Sequence, residues 1–187
     1  MNQDIKKALE VLRSGGIVLY PTDTVWGLGC DAENKDAIQR IYEIKQREDT
    51  KSMLLLIDTA MRLEMYVEDI PEIAWDLLEE SDTPLTIIYP KAKNLPSILM
   101  AEDQSIGIRL TNDTFCKQLI ARFQKPIVST SANISGRPFP RNFNEISSNI
   151  LNQVDYIVKI KQDEMLLSNP SSIIKFFEDN TFKIIRE

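Results

Sequence analysis

Histidine is absent from this 187-residue sequence. Its absence excludes Ser-His-Asp and Cys-His catalysis and any His-ligated metal site. Chemistry therefore falls to Lys, Arg, carboxylates, hydroxyls, backbone amides or a bound ion. Cysteine is nearly as scarce: the two present, Cys30 and Cys116, have no paired spacing. Neither a disulfide framework nor a zinc site is expected, and a reducing cytoplasm suits the chain. No apolar run approaches the roughly 20 residues of a membrane span. Met1 leads into a polar helical pattern rather than a signal-peptide core, so a cytoplasmic protein with no membrane contact is expected. Positive charge is in deficit, with 22 Lys and Arg against 28 Asp and Glu and a net charge of −6. Proteins whose main task is gripping nucleic acid usually carry the opposite balance. Internal repeats, low-complexity tracts and linkers are also missing. With 43% apolar residues, a chain this long can bury a core unaided, which predicts one domain over residues 1–187.

What is present alternates between strand-like and helix-like segments. Asn2 can cap a helix with Ile5, Leu9 and Leu12 on one face, stopped by Gly15-Gly16. Asn34 can cap a second, through Ala37, Ile38, Ile41 and Tyr42. Further helical stretches are expected over Asp58–Tyr66, from Pro71 to Glu79, over Asn112–Phe123 and over Phe143–Leu151. Strands are expected at 17–20, 52–57, 84–89, 105–110, 126–130, 155–159, 171–176 and 181–185. This alternation predicts an α/β fold, a twisted mixed sheet with flanking helices. Trp75, Leu77, Leu78, Met61 and Met65 are expected in the core, and Cys30 as a small buried hydrophobe.

Two segments stand out for chemistry. In the first, the apolar run Ile17-Val18-Leu19-Tyr20 meets Pro21 and then Thr22-Asp23-Thr24-Val25-Trp26-Gly27-Leu28-Gly29. Two hydroxyls, a carboxylate, an indole and two glycines crowd the carboxyl end of a strand, where open α/β sheets bind ligands. In the second, Pro126-Ile127-Val128 runs into Ser129-Thr130-Ser131-Ala132-Asn133-Ile134-Ser135-Gly136. Two such strand ends suggest two walls of one pocket. Thr22 and Asp23 read as shapers of their own loop through local side-chain to backbone bonds. Trp26 reads equally as core or as a pocket wall. Cations gather at Lys45-Gln46-Arg47 with Lys51, where spacing alone favours a solvated helix end offsetting the macrodipole. Arg109, ending Ile106-Gly107-Ile108-Arg109, reads either as a snorkelling surface residue or as a bidentate carboxylate clamp.

Pro21 to Ala32, Lys45-Gln46-Arg47, Ser105 to Leu110 and Ser129 to Gly136, occurring in that order, resemble the YrdC-type (TsaC) family from about Ile5 to Arg186. The resemblance implies the short single-domain form, with the fold shared with dihydroxybutanone phosphate synthase. It implies synthesis of L-threonylcarbamoyladenylate and pyrophosphate from L-threonine, bicarbonate or CO2, and ATP. The product would pass to a tRNA threonylcarbamoyl transferase. In the family's pattern, Lys45 and Arg47 are catalytic. Arg47, Lys51, Ser105, Ser131, Asn133 and Arg186 face ATP. Thr24, Arg109, Ser129 and Ser171 face threonine. Mg2+ accompanies the ATP without a protein metal site.

Three departures bear on the amino-acid pocket. Ser52 stands where the family usually has proline, Leu56 where many members have histidine, and Glu48-Asp49 where the stretch is usually more neutral. Two rival readings remain at this level. One is a relative that binds RNA or a nucleotide without synthase activity; contact with tRNA or double-stranded RNA is expected to be weak at this charge. The other is a sugar-phosphate enzyme of the same fold, against which the missing histidine counts.

Overall fold

The computed structural model describes residues 1–46, 53–165 and 170–187. Its described elements are α1 (Asn2–Arg13), β1 (Val18–Tyr20), β2 (Gly27–Gly29), α2 (Lys35–Lys45), β3 (Leu54–Ile57) and α3 (Glu72–Glu80). They continue with β4 (Leu85–Tyr89), β5 (Ile106–Leu110), α4 (Thr114–Phe123), β6 (Ile127–Ser131), α5 (Ser148–Leu151), β7 (Tyr156–Ile157), β8 (Ser172–Phe176) and β9 (Phe182–Arg186). The strands form one sheet in the order β7-β1-β2-β6-β3-β5-β4-β8-β9. Pairings are mixed. β3 runs parallel to β5, β4 to β8 and β1 to β7, and the remaining neighbours are antiparallel.

Local chemistry sets the helix ends. Gly15 takes φ +79 just past α1. Its N–H bonds to the Leu12 carbonyl and the Gly16 N–H to that of Val11, the paired bonds of a Schellman ending. Asn34 caps α2 by accepting from Ala37 N, and Asp113 caps α4 by accepting from Cys116 N. Asn2 lies inside its helix rather than capping it.

Strand side chains alternate between two faces, and the faces differ. Ile17, Leu19, Leu28, Leu55, Ile57, Ile87, Ile106, Ile108 and Val128 join the core on which α2 and α3 pack. Val18, Tyr20, Leu56 and Ile127 point the other way, into a second core under α1 and α4. Those two helices do not reach the rest of that face, which leaves Leu54, Thr86, Ile88, Gly107, Arg109 and Ile173 lining a cavity.

Five expectations need correction. Gly27–Gly29 is not loop but an inner strand, pairing β1 on one side and β6 on the other. Asp58–Tyr66 holds a 3-10 helix at Ala60–Met65. With three residues per turn, Ala60, Leu63 and Tyr66 face inward, and Met61 and Met65 point out, 78% and 52% exposed. They are not core. Phe143–Leu151 splits into a 3-10 turn at Phe143–Glu145 and the short α5. The strand expected over 155–159 shrinks to β7. The strand expected from Ser52 is described only from Leu54 onward.

Candidate active site

The uncovered part of the sheet forms the floor of a cavity of about 360 Å3. Its rows follow from register. Leu54 stands beside Gly107 and Ser129, and Gly107 beside Ile88. Arg109 stands beside Thr86, Thr86 beside Ile173, and Ile173 beside Arg186. Arg109 and Arg186 are thus three strands apart in one row, about 14 Å between backbones at ordinary strand spacing. Gly107 and Gly27 keep the floor low. A Cβ at either position would meet its neighbours at 3.4 Å or beyond and would project into the cavity.

The six residues from Pro21 to Trp26 link β1 to β2 and form one wall. Thr22 folds the loop locally: its hydroxyl accepts from Thr24 N at 3.0 Å and donates to the Val25 carbonyl at 2.8 Å. Asp23 does not act locally, contrary to the sequence reading. Its Oδ1 lies 3.1 Å from Arg109 Nη2, while Oδ2 accepts from Thr111 Oγ1 and Asn112 N, each at 3.2 Å. Arg109 Nη1 donates to Thr24 Oγ1 at 3.1 Å. The guanidinium is 3% exposed as a residue, and its Nε has no hydrogen-bond partner among the described residues. Asp23 Oδ1 also lacks a well-aligned hydrogen bond, so charge rather than donor geometry holds that contact. Of five guanidinium donors, at least one is left for a ligand.

The turn after β6 forms the facing wall. Ser129, Thr130 and Ser131 line the cavity. Asn133 braces the turn, its Oδ1 accepting from the Ser131 hydroxyl and its Nδ2 donating to the Arg137 carbonyl. Lys45, at the end of α2, is 1% exposed. Its ammonium donates to the Ser131 carbonyl and, at 2.7 Å, to the Asn133 carbonyl. At the far end, Ser171 shares a 2.7 Å hydrogen bond with Thr86. Its carbonyl accepts Arg186 Nε at 2.9 Å and Nη2 at 2.5 Å. Arg186 is therefore tied to the site despite its place beside the last residue.

Thr24, Arg109, Ser129, Ser131, Ser171 and Arg186 all line this one cavity. Lys45 and Asn133 stand behind its wall. Ser105 is buried, and its N–H and hydroxyl both bond Asp103 Oδ1, away from the lining. Arg47, Lys51 and Ser52, with Glu48-Asp49, lie outside the described residues. Trp26 is core: it is fully buried and packs on Phe143 at 5.2 Å between ring centres. Leu56, which the family resemblance set near the amino-acid pocket, sits in the core under α1 and α4 and not in the cavity lining. Sequence reasoning missed Thr86 and Phe139. Thr86 had a signal, the single polar residue in Leu85-Thr86-Ile87-Ile88-Tyr89; Phe139 follows no periodic pattern.

Arg109 and Arg186 are the only charged side chains lining the cavity among the described residues. Burial, and next the positive charge of Arg109, pull the Arg186 pKa down. Two partly desolvated cations over a common floor repel each other, and an anionic ligand between them relieves that repulsion.

An open mixed sheet bearing a hydroxyl-lined cavity, with Arg109 at its middle and Arg186 at its edge, is an α/β architecture suited to small anionic ligands. The chain belongs to the Sua5/YciO/YrdC family, whose model, described as telomere recombination, matches residues 10–187. Threonylcarbamoyl-AMP synthase of Pseudoalteromonas translucida is 37% identical over 184 residues, covering 96% of each chain. That of Vibrio cholerae is 32% identical over 162 residues, 85% of this chain and 86% of its own. Among solved structures, E. coli YciO superposes with a TM-score of 0.86 at 28% identity, covering all of this chain and 90% of its own. P. abyssi Sua5 complexed with L-threonine gives 0.85 at 28% identity over 92% of this chain. This chain spans half the length of that protein. Among the described residues no helix is long and apolar enough to cross a membrane.

Proposed function

We propose that this protein is an L-threonylcarbamoyladenylate synthase. The observation that carries the reading is the pair Arg109 and Arg186, the sole charged lining of one cavity among the described residues, in a chain of net charge −6. An amino-acid carboxylate and a nucleotide phosphate are the anions such a cavity suits. The names of the relatives above support the same chemistry, and a relative with bound L-threonine supports threonine as the amino acid. The RNA- or nucleotide-binding alternative is not favoured.

In this reading bicarbonate takes up a proton and loses water to give CO2; the neutral threonine amine attacks its carbon and releases a proton, replacing the one consumed, to leave a carbamate. A carbamate oxygen then bonds the α-phosphorus of ATP as the bond to pyrophosphate breaks. Arg109 holds the threonine carboxylate through its spare donor, with Thr24, Ser129 and Ser171 around the amino acid. Arg186 and Ser131 face the nucleotide, joined in the family's pattern by Arg47 and Lys51; Ser105, turned onto Asp103, stays out of the cavity. Lys45 and Asn133 hold the Ser131 turn in place. The protein orients two anions and offsets charge as it gathers on the phosphate oxygens. Mg2+ enters with ATP, held by phosphates and water. A tRNA threonylcarbamoyl transferase receives the product, in the cytoplasm.

Pyrophosphate release is the test. Release from ATP that requires both L-threonine and bicarbonate supports the proposal. Orthophosphate release, or pyrophosphate release indifferent to either co-substrate, overturns it.

A further inference from the structure

Phe139 has no part in this scheme. It lines the cavity and is 39% exposed, the only aromatic ring among the described lining residues, which otherwise supply hydroxyls, guanidinium groups, glycines and aliphatic side chains. Its backbone is stiff. Pro138 precedes it with φ fixed, and Pro140 after it confines Phe139 itself to extended conformations. Both sides of this segment are anchored. On one side Asn133 Nδ2 bonds the Arg137 carbonyl. On the other Pro140 is buried and the Arg141 N–H bonds Glu145 Oε2 at 2.8 Å. The next phenylalanine, Phe143, is committed to the core against Trp26. Phe139 is thus a preorganised aromatic surface facing the cavity, and using it costs little ordering entropy on binding.

Threonine offers such a ring only a methyl group. A nucleobase offers a full π-face, and base–aromatic stacking is the usual way a protein grips a base without reading its edge. The described lining holds no Asn, Gln, Asp or Glu that could make a paired contact to a base edge. We infer that Phe139 is the stacking wall for the adenine of ATP, supplying nucleotide affinity. This rests on the synthase reading of the cavity and adds a specific residue to it.

The test compares ATP with inorganic tripolyphosphate, which keeps the phosphates and lacks the base, by calorimetric titration without threonine. For Phe139→Ala, ATP affinity is expected to fall roughly 5- to 150-fold, the span of one lost base stack. Tripolyphosphate and L-threonine affinities stay at the wild-type level. Phe139→Trp is expected to keep ATP affinity and to show tryptophan quenching with ATP but not with tripolyphosphate. Unchanged ATP affinity in Phe139→Ala overturns the inference, as does an equal loss for tripolyphosphate. Failure of the wild-type protein to bind ATP at all would overturn the synthase reading itself and this inference with it.

Discussion

Asp23 and Arg109, 86 residues apart in sequence, meet at 3.1 Å across the cavity wall. The carboxylate also takes Thr111 Oγ1 and Asn112 N, so it fixes the β1–β2 loop to the end of β5. Arg109 is thereby aimed rather than free to snorkel. Removing one member of a buried pair strands the other, at about 3 kcal/mol. Asp23→Ala is expected to lower unfolding stability by about that much and to raise KM for threonine more than KM for ATP. Arg109→Ala is expected to lose threonine affinity more than ATP affinity. Arg109→Lys should not restore it, because a point charge lacks the planar fork. Equal losses for both substrates would remove Arg109 from the carboxylate role.

Gly29 and Gly107 separate packing from function. A Cβ on Gly29 would lie 2.6 Å from the Val128 carbonyl and 2.7 Å from the Tyr20 ring. Gly29→Ala is expected to cost about 1–3 kcal/mol through overpacking, seen as a lower urea midpoint. A Cβ on Gly107 meets only ordinary contacts of 3.5 Å or more but enters the cavity. Gly107→Ala should therefore leave the midpoint within error while raising the substrate KM values.

Spacing alone makes Lys45 a solvated helix-end cation, and the family resemblance makes it catalytic. In the fold its ammonium is buried on the carbonyls of Ser131 and Asn133. Lys45→Met leaves those carbonyls short of a donor, at roughly 1–3 kcal/mol for each group left unsatisfied. Loss of stability together with weaker ATP binding is the expected outcome. An unchanged urea midpoint would show that the Ser131 turn does not depend on Lys45.

Asp103 gives a pH signature. Hydrogen bonds from Lys175 and Ser105 lower its pKa to about 2, against about 3.9 in an unfolded chain. The folded group binds protons less readily, so its contribution is fully present above about pH 4 and is lost as pH falls toward 2. Its exposed position holds that contribution under about 1 kcal/mol. Asp103→Asn should be slightly less stable than wild type at pH 7, and the difference should close below pH 2. A gap that persists at pH 2 would place the stabilisation elsewhere.

Much of this architecture was legible in the chain. Asn34 and the Gly15-Gly16 stop declared their helix ends, because caps are local chemistry. The residues expected to hold threonine converge on one cavity because each stands on a strand end or a loop leaving one. What was hidden depends on distant partners. Asp23 looks like a loop former until Arg109 and Thr111 are brought beside it. Gly27–Gly29 is too short and too glycine-rich to read as a strand, and pairs only because β1 and β6 flank it. Met61 and Met65 fit an α-helical period that a 3-10 helix does not keep.

The first measurement is the mass of the product formed from ATP, L-threonine and 13C-bicarbonate. Threonylcarbamoyl-AMP one mass unit heavier than that from unlabelled bicarbonate is the expected result, since the carbamate carbon enters the product. A threonine-AMP species without the added carbon, or no adenylate from folded protein that binds ATP, would contradict the synthase reading.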